Sequence, residues 1–389
     1  MRCVEEEDAA RGVVGRRDPT IIYQTVHLAV GYRGETTPTP KPLLWPCPSG
    51  EGAPGARQVK KNQTMETRPV RSRIRYRGFE GESDYPKMLA VINAAKLADG
   101  DDRFDTVEDI AATYRHLDNC DPYSDMRLAE VDGNVVAYSR VWWGEELSGT
   151  RVYSHFCFID PAWRNQGVGG SLLDWNMGRL VEIGADHPVG NKLLDTFSIQ
   201  TDPIAAHLLE GRGYRAVTYG AEMVRPDLDD IPEVELPEGL EMRPVTEDHL
   251  RPIWEADQEA FRDHWGYQAS TENRWQEFLD FPHTDTTLWK VAWSDQGVAG
   301  QVRSFINLGE NAEYGRKRGY TESISTARSH RRRGVARALL AASLEELRRR
   351  GMEQAALGVH TENPNGAFTL YESMGFVVTK LFATYRRPL

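Results

Sequence analysis

The sequence predicts an α+β protein of two tandem domains, each a central mixed β-sheet covered by helices. Three observations predict it. One pattern, Arg-x-x-Gly-x-(Gly/Ala), occurs twice: Arg164-Asn165-Gln166-Gly167-Val168-Gly169 and Arg331-Arg332-Arg333-Gly334-Val335-Ala336. Gly213-Tyr214 and Gly375-Phe376 then follow almost in phase: Gly167 and Gly334 lie 167 residues apart, Gly213 and Gly375 162. The same order of strands and helices surrounds both copies. Two landmarks with nearly one spacing argue for duplication rather than chance loops. Units of about 150 residues suit domains with their own cores.

The elements read in order as follows. Helical stretches at 85–97 and 107–117 open the first unit, and strands at 126–131 and 135–143 follow. A β-like run, 152–159, leads through the Gly-rich turn into an apolar-periodic helix, 167–183. A strand (193–199), a short helix (203–210) and a closing strand (214–224) complete the unit. The second unit repeats this: 241–244, helices 250–261 and 272–279, strands 288–293, 298–306 and 320–326, and a helix at 334–349. A strand (354–359), a helix (366–373) and a final strand pair end it.

Between the units, residues 227–239 are acidic and proline-punctuated. Proline removes a donor and opposes helix, so this reads as an extended linker. The expected domains are therefore 65–226 and 240–389. Residues 1–64 mix Gly, Pro and charge without periodicity. They read as a disordered tail or as a mis-assigned start, since Met65 precedes the first domain-like segment.

The chain has 389 residues, 40% hydrophobic, and a formal net charge of −11. That charge argues against a nucleic-acid surface as the main business. No apolar run approaches the ~20 residues of a membrane span. Cys3, Cys47, Cys120 and Cys157 show neither metal spacing nor a disulfide framework, and the ten histidines show no paired ligand spacing. The reading is a cytoplasmic protein with no metal. A Gly-rich turn between strand and helix aims free N–H groups at one spot, to which the helix dipole adds positive potential. That is a cradle for a pyrophosphate. Cations at a helix N-terminus are unfavourable by themselves, so Arg331-Arg332-Arg333 also points to a bound anion.

At this point the chain resembles a tandem GNAT-type N-acetyltransferase over about residues 70–389. That superfamily carries (Gln/Arg)-x-x-Gly-x-(Gly/Ala) after its fourth strand and a later Leu-Tyr-Glu-x-x-Gly-Phe signature. Leu370-Tyr371-Glu372-Ser373-Met374-Gly375-Phe376 matches it in full. The two-unit layout is similar to that of mycothiol synthases. The resemblance implies acetyl-CoA as cosubstrate. It places the pyrophosphate on Arg331, Arg332, Arg333, Gly334, Val335 and Ala336, with pantetheine along Thr326 and Ala327. The first unit's counterparts are Arg164, Gln166, Gly167, Val168 and Gly169, with Ile159 on the strand. A family Asn expected three residues before Ala367 is replaced by Pro364, with Asn363 and Asn365 on either side; the resemblance carries that contact to Asn363.

The family's tyrosine general acid falls at Tyr371, and its first-unit counterpart is Leu209, which has no proton to give. On the strand before the turn, Glu322 corresponds to His155. Glu322 can take the proton of an attacking ammonium, aided by a raised pKa in a partly apolar cleft. The loop Phe261 to Tyr267 would wall the acceptor pocket, with Asp263 pairing the amine's cation. The expected function is acetyl transfer to a small-molecule amine, catalysed by the second unit by direct transfer in a ternary complex. Mycothiol synthesis is one rival, and a non-catalytic acyl-CoA sensor or scaffold the other.

Overall fold

The computed structural model describes residues 74–362 and 366–389. The tail at 1–64 and Asn363 lie outside them. The first unit contains β1 (Arg75–Arg77), α1 (Tyr85–Ala98), α2 (Val107–Arg115), α3 (Pro122–Asp125), β2 (Met126–Val131), β3 (Asn134–Glu145) and β4 (Arg151–Ile159). Then come α4 (Val168–Ala185), β5 (Lys192–Ile199), α5 (Pro203–Glu210) and β6 (Arg215–Arg225). The second repeats the order, apart from α3 and the α8 below, which have no counterparts, with β7 (Glu241–Met242), α6 (Leu250–Phe261), α7 (Glu272–Leu279), β8 (Lys290–Ser294) and β9 (Gly297–Phe305). It continues with α8 (Leu308–Glu313), β10 (Arg318–Thr326), α9 (Val335–Arg349), β11 (Gln354–His360), α10 (Ala367–Ser373) and β12 (Val377–Pro388). The α+β class and the repeated order agree with the sequence.

The join between the units is not what the sequence pattern suggests. All twelve strands among the described residues form one sheet in the order β1-β2-β3-β4-β5-β12-β6-β11-β10-β9-β8-β7. The two closing strands have changed places. β6 of the first unit pairs antiparallel with β11 of the second, Ala355 facing Arg225 and His360 facing Gly220. β12 pairs antiparallel with β5, from Phe382 facing Ile199 to Pro388 facing Leu193. β6 and β12 pair with each other along the middle. The expected final pair is instead one long strand, β12, whose pairing with β6 shifts register between Val378 and Lys380 and again between Thr384 and Tyr385. A register shift re-aims side chains without ending a strand.

The cores follow the exchange. Ala221 and Met223 of β6 are buried with Leu340, Leu344, Leu357, Tyr371 and Phe376 of the second unit. Ala383 and Tyr385 of β12 are buried with Tyr153, Leu173, Leu194 and Tyr214 of the first. The segment between β6 and β7 is irregular but held down. Leu228 is buried, Ile231 and Val234 pack on the same core, and Arg225 donates to the carbonyls of Asp227 (2.9 Å), Asp230 (2.5 Å) and Met374. No helix among the described residues is long and apolar enough to cross a membrane.

Candidate active site

β10 and β11 run parallel and paired only over Arg318–Tyr320, facing Gln354–Ala356, and then part. A cavity of about 850 Å³ lies against the separated strands. It is bounded by Glu322, Tyr371, Thr326, Arg331, Arg332, Gly334, Val335 and Ala336 among others. Eight residues named from sequence thus meet at one space.

The turn is shaped by two left-handed residues, Arg332 (φ 62°) and Gly334 (φ 88°). Gly334 is the N-cap of α9, and no side chain caps the helix. The first N–H groups of α9 are therefore left for a ligand or water. Arg331 does not reach forward. Its guanidinium donates to the carbonyls of Ala260 (2.9 Å) and Thr326 (3.3 Å) and pairs with Asp263 at 2.9 Å. It ties the turn to α6. Arg333 turns away too, donating to the Glu238 carbonyl at 3.2 Å. Ala327 spends its N–H on the Ala299 carbonyl at 3.0 Å and does not line the cavity. Asp263, expected to meet the amine, pairs with Arg328 and Arg331, which hold its carboxyl at about 2.

β10 is irregular where the chemistry would fall. Its pairing with β9 slips between Glu322 and Ser325, and Ser323 sits at φ 47°. This bulge leaves the strand's backbone groups out of regular pairing beside the cavity. The Glu322 side chain is 33% exposed, at the cavity wall, and its carboxyl is raised to about 7, with desolvation by the surrounding protein the largest cause. Arg103, with Nη2 3.7 Å from Oε1, opposes the rise, and the Glu222 charge adds to it. Tyr371 is 5% exposed, and its phenol is raised by burial and then by the charge of Glu322. It is a proton holder at neutral pH. His264 and His360 also line the cavity, and burial holds each down at about 4, so both are neutral at pH 7.

Sequence reading missed what the first unit lends to this site. Arg103, from the α1–α2 loop, lies 4.1 Å from the centroid of the Tyr320 ring and donates through Nε to Glu222 at 3.2 Å. Glu222 comes from the exchanged β6, and Lys380 of β12 donates to it at 3.2 Å. A charged residue between buried Ala221 and Met223 is a faint sequence signal for Glu222. Arg103 had none, because the contact spans the units.

The first unit keeps the turn but fills the wedge. Asn165 (φ 61°) and Gly167 (φ 86°) repeat the left-handed pair. β4 pairs with β5 over Arg151–Ser154 and then parts. There His155 is buried, with Nε2 2.8 Å from the Tyr214 hydroxyl and Nδ1 3.4 Å from Asn176 Nδ2, and its carbonyl accepts from Thr196 at 2.8 Å. Burial holds the His155 ring at about 3, so it is neutral. Leu209, where the second unit has Tyr371, belongs to the core. β4 pairs with β3 without a bulge. Arg164 is clasped by both oxygens of Asp99, at 2.5 and 2.9 Å. Gln166 donates to the Ala162 carbonyl at 2.7 Å, while Val168 and Ile159 pack in the core and Gly169 lies against Ile159.

The family model for the GNAT acetyltransferase family matches residues 93–207 and 250–376, once on each unit. The chain is 28% identical over 306 residues to a mycothiol acetyltransferase of Salinispora arenicola, covering 77% of this chain and 92% of that protein. It is 27% identical over 266 residues to one of Thermobispora bispora, covering 63% of this chain and 81% of that protein. Among solved structures it is similar to a GCN5-related N-acetyltransferase from Sphaerobacter thermophilus. The TM-score is 0.63 and the identity 26%, over 81% of this chain and 96% of that one. A tandem GNAT protein from the clavulanic acid biosynthesis pathway shares the fold, with a TM-score of 0.59 at 14% identity, over 81% of this chain and 98% of that one. With a family match on both units, on either side of a shared sheet, the chain belongs to the GNAT acetyltransferase family and is a tandem-domain N-acetyltransferase.

Proposed function

We propose that residues 240–389 transfer an acetyl group from acetyl-CoA to a primary amine of a small molecule, by direct attack in a ternary complex. Residues 65–226 support them without catalysing, and 227–239 link the two. One observation carries the reading: a potential base, Glu322, and a potential acid, Tyr371, border the same cavity as the open helix N-terminus. The residues fit acetyl-CoA. The uncapped N–H groups at Gly334–Ala336, with Arg332 beside them, suit a pyrophosphate, and the unpaired stretch of β10 to Thr326 suits an extended chain. Acetyl-CoA would supply the activated acetyl group.

The chain's own groups do the rest. Glu322 takes the proton that the ammonium must lose, and near 7 its carboxyl is matched to that task. A strand N–H near Thr326 stabilises the charge developing on the carbonyl oxygen. Tyr371 gives its proton to the departing thiolate. Binding both reactants in one cavity removes the entropic cost of bringing them together.

Thiol release from acetyl-CoA, measured across a panel of amines, tests this. Release that needs a primary amine and is lost in Glu322→Gln is expected. Acetyl-CoA binding without release under any amine would leave the sensor reading instead. Mycothiol synthesis is a second reading, favoured by relatives that align across both units. The amine precursor of mycothiol therefore belongs in the panel.

A further inference from the structure

The first unit buries a cation that its fold does not neutralise. Arg140 on β3 is 7% exposed, and no carboxylate pairs with it among the described residues. Its guanidinium carbon lies 5.0, 5.4 and 5.1 Å from the ring centroids of Tyr114, Trp142 and Phe156. Ring faces attract a cation but accept its N–H groups poorly, and Arg140 Nε is buried with no hydrogen-bond partner.

In the second unit the counterpart arginine also has a buried Nε without a partner, but its charge is met by a carboxylate. Thr326 faces Gly300 and Ile159 faces Ala137, so the repeat places Arg303 opposite its counterpart, Arg140. Each lies over an aromatic ring of the second helix of its unit: Arg303 is 4.9 Å from Phe278, as Arg140 is 5.0 Å from Tyr114. Arg303 is neutralised. It donates to Asp257 Oδ2 at 2.8 Å and to Ser323 Oγ. In the first unit both partners are gone. α1, the first unit's counterpart of α6, has no carboxylate in Tyr85–Ala98, and its Val91 and Ile92 are buried in an apolar cluster. Phe156 follows His155 where Ser323 follows Glu322.

The acids nearby are committed. Asp125 pairs with Arg179 at 2.9 Å and accepts from the Asp121 N–H at 2.8 Å. Asp121 accepts from the Tyr123 N–H at 3.1 Å and the Ser124 hydroxyl at 2.7 Å. Arg140 faces a cavity of about 100 Å³ at the join of the units, lined also by Cys120, Trp142, Gln268, Thr271 and Arg274. Two carboxylates border it, and both are engaged. Asp118 accepts from Thr271 at 2.6 Å and Asn273 at 2.9 Å, and Glu145 pairs with Arg151 at 3.0 Å. The other polar groups beside it, the Tyr114 hydroxyl and the Asn119 and Gln268 amides, carry no charge to set against the guanidinium. The Tyr114 hydroxyl has no partner, and burial pushes the Cys120 thiol up to about 12, so it keeps its proton.

We propose that Arg140 holds a small monovalent anion in this cavity, chloride or a carboxylate of formate or acetate size. A buried unpaired cation is costly, and an acceptor of opposite charge removes that cost. The space excludes anything larger than a few heavy atoms. The anion is either a free ion or the carboxylate end of an acceptor, because the cavity shares His116, Gln268 and Arg274 with the larger one.

Crystals of the full chain soaked in sodium bromide test the site. An anomalous peak within hydrogen-bond distance of Arg140, absent in Arg140→Met, is expected. In solution, sodium formate should raise the melting temperature of the wild type saturably, by about 2–4 °C beyond its effect on Arg140→Met. Absence of the peak in wild-type crystals overturns the proposal, whether or not the variant folds. The source is read by kinetics, and this arm alone rests on the acetyl-transfer reading. Formate that competes with the amine found by the screen marks an acceptor carboxylate. Formate that binds without altering the KM for the amine marks a free ion.

Discussion

At the scale of single residues, Glu322 gives the sharpest prediction. It must be ionised to accept a proton, so kcat/KM should rise with pH through about 7, where its carboxyl titrates. Desolvation raises that value most, and two residues of the first unit adjust it from opposite sides. Arg103 favours the ionised carboxylate, so Arg103→Met should move the rising limb to higher pH by roughly one unit. Glu222 repels it, so Glu222→Gln should move the limb to lower pH. A profile that stays fixed in both variants would remove Glu322 from the role of base. Tyr371→Phe should lower kcat by about 10–10⁴-fold where chemistry limits the rate. Leu209→Ala, at the matching place in the first unit, should instead cost about 2–5 kcal/mol of stability while leaving kcat alone. Full turnover in Tyr371→Phe would exclude the tyrosine as general acid.

At the scale of elements, two turns of one shape have different surroundings. The left-handed pair at Arg332 and Gly334 opens onto the wedge between β10 and β11; the pair at Asn165 and Gly167 fronts a wedge filled by His155, Tyr214 and Leu209. The motif alone could not separate them. Both copies have the glycine that a positive φ requires, and what differs is the side chain twelve residues earlier on the strand, Glu322 against His155, or about forty later on a helix, Tyr371 against Leu209. Gly334 tests the turn cleanly, because a Cβ there meets nothing within 4 Å. Gly334→Ala carries only the left-handed strain, of about 1–2 kcal/mol. Gly334→Asp adds a negative charge at the expected pyrophosphate site. Calorimetry should show acetyl-CoA affinity falling at least tenfold further in the aspartate variant than in the alanine one. Gly167→Asp should leave the KM for acetyl-CoA unchanged, with one tight site per chain. Equal losses at Gly334→Ala and Gly334→Asp would mean that the turn does not hold an anion. A tight site abolished by Gly167→Asp would show that the first cradle is used.

At the scale of the whole molecule, the sequence showed two units but not their interlock. Periodicity reports which face of a strand is apolar; it does not say which neighbour covers that strand's edge. The alternation in 214–224 would serve equally in either half of the sheet, so a closing strand was legible and its partner was not. The same limit hid Arg103 and Glu222, whose value lies in reaching across the join. The exchange has a direct consequence for cutting the chain. A piece beginning at Leu240 keeps β10, β11 and the Gly-rich turn but loses β6. β11 then has a bare edge, and Leu340, Leu344 and Leu357 lose the cover of Ala221 and Met223. Unpaired edges with exposed apolar surface aggregate. The piece ending at 239 suffers the mirror loss, since β5 is bared when β12 is missing. Each piece therefore holds the strand that the other lacks. Produced separately, both should be insoluble or inactive; produced together from two genes, they should associate and recover acetyl transfer. Activity of 240–389 alone, at the rate of the intact chain, would show that the exchanged strand and the Arg103–Glu222 pair are dispensable, and with them the supporting role of the first unit.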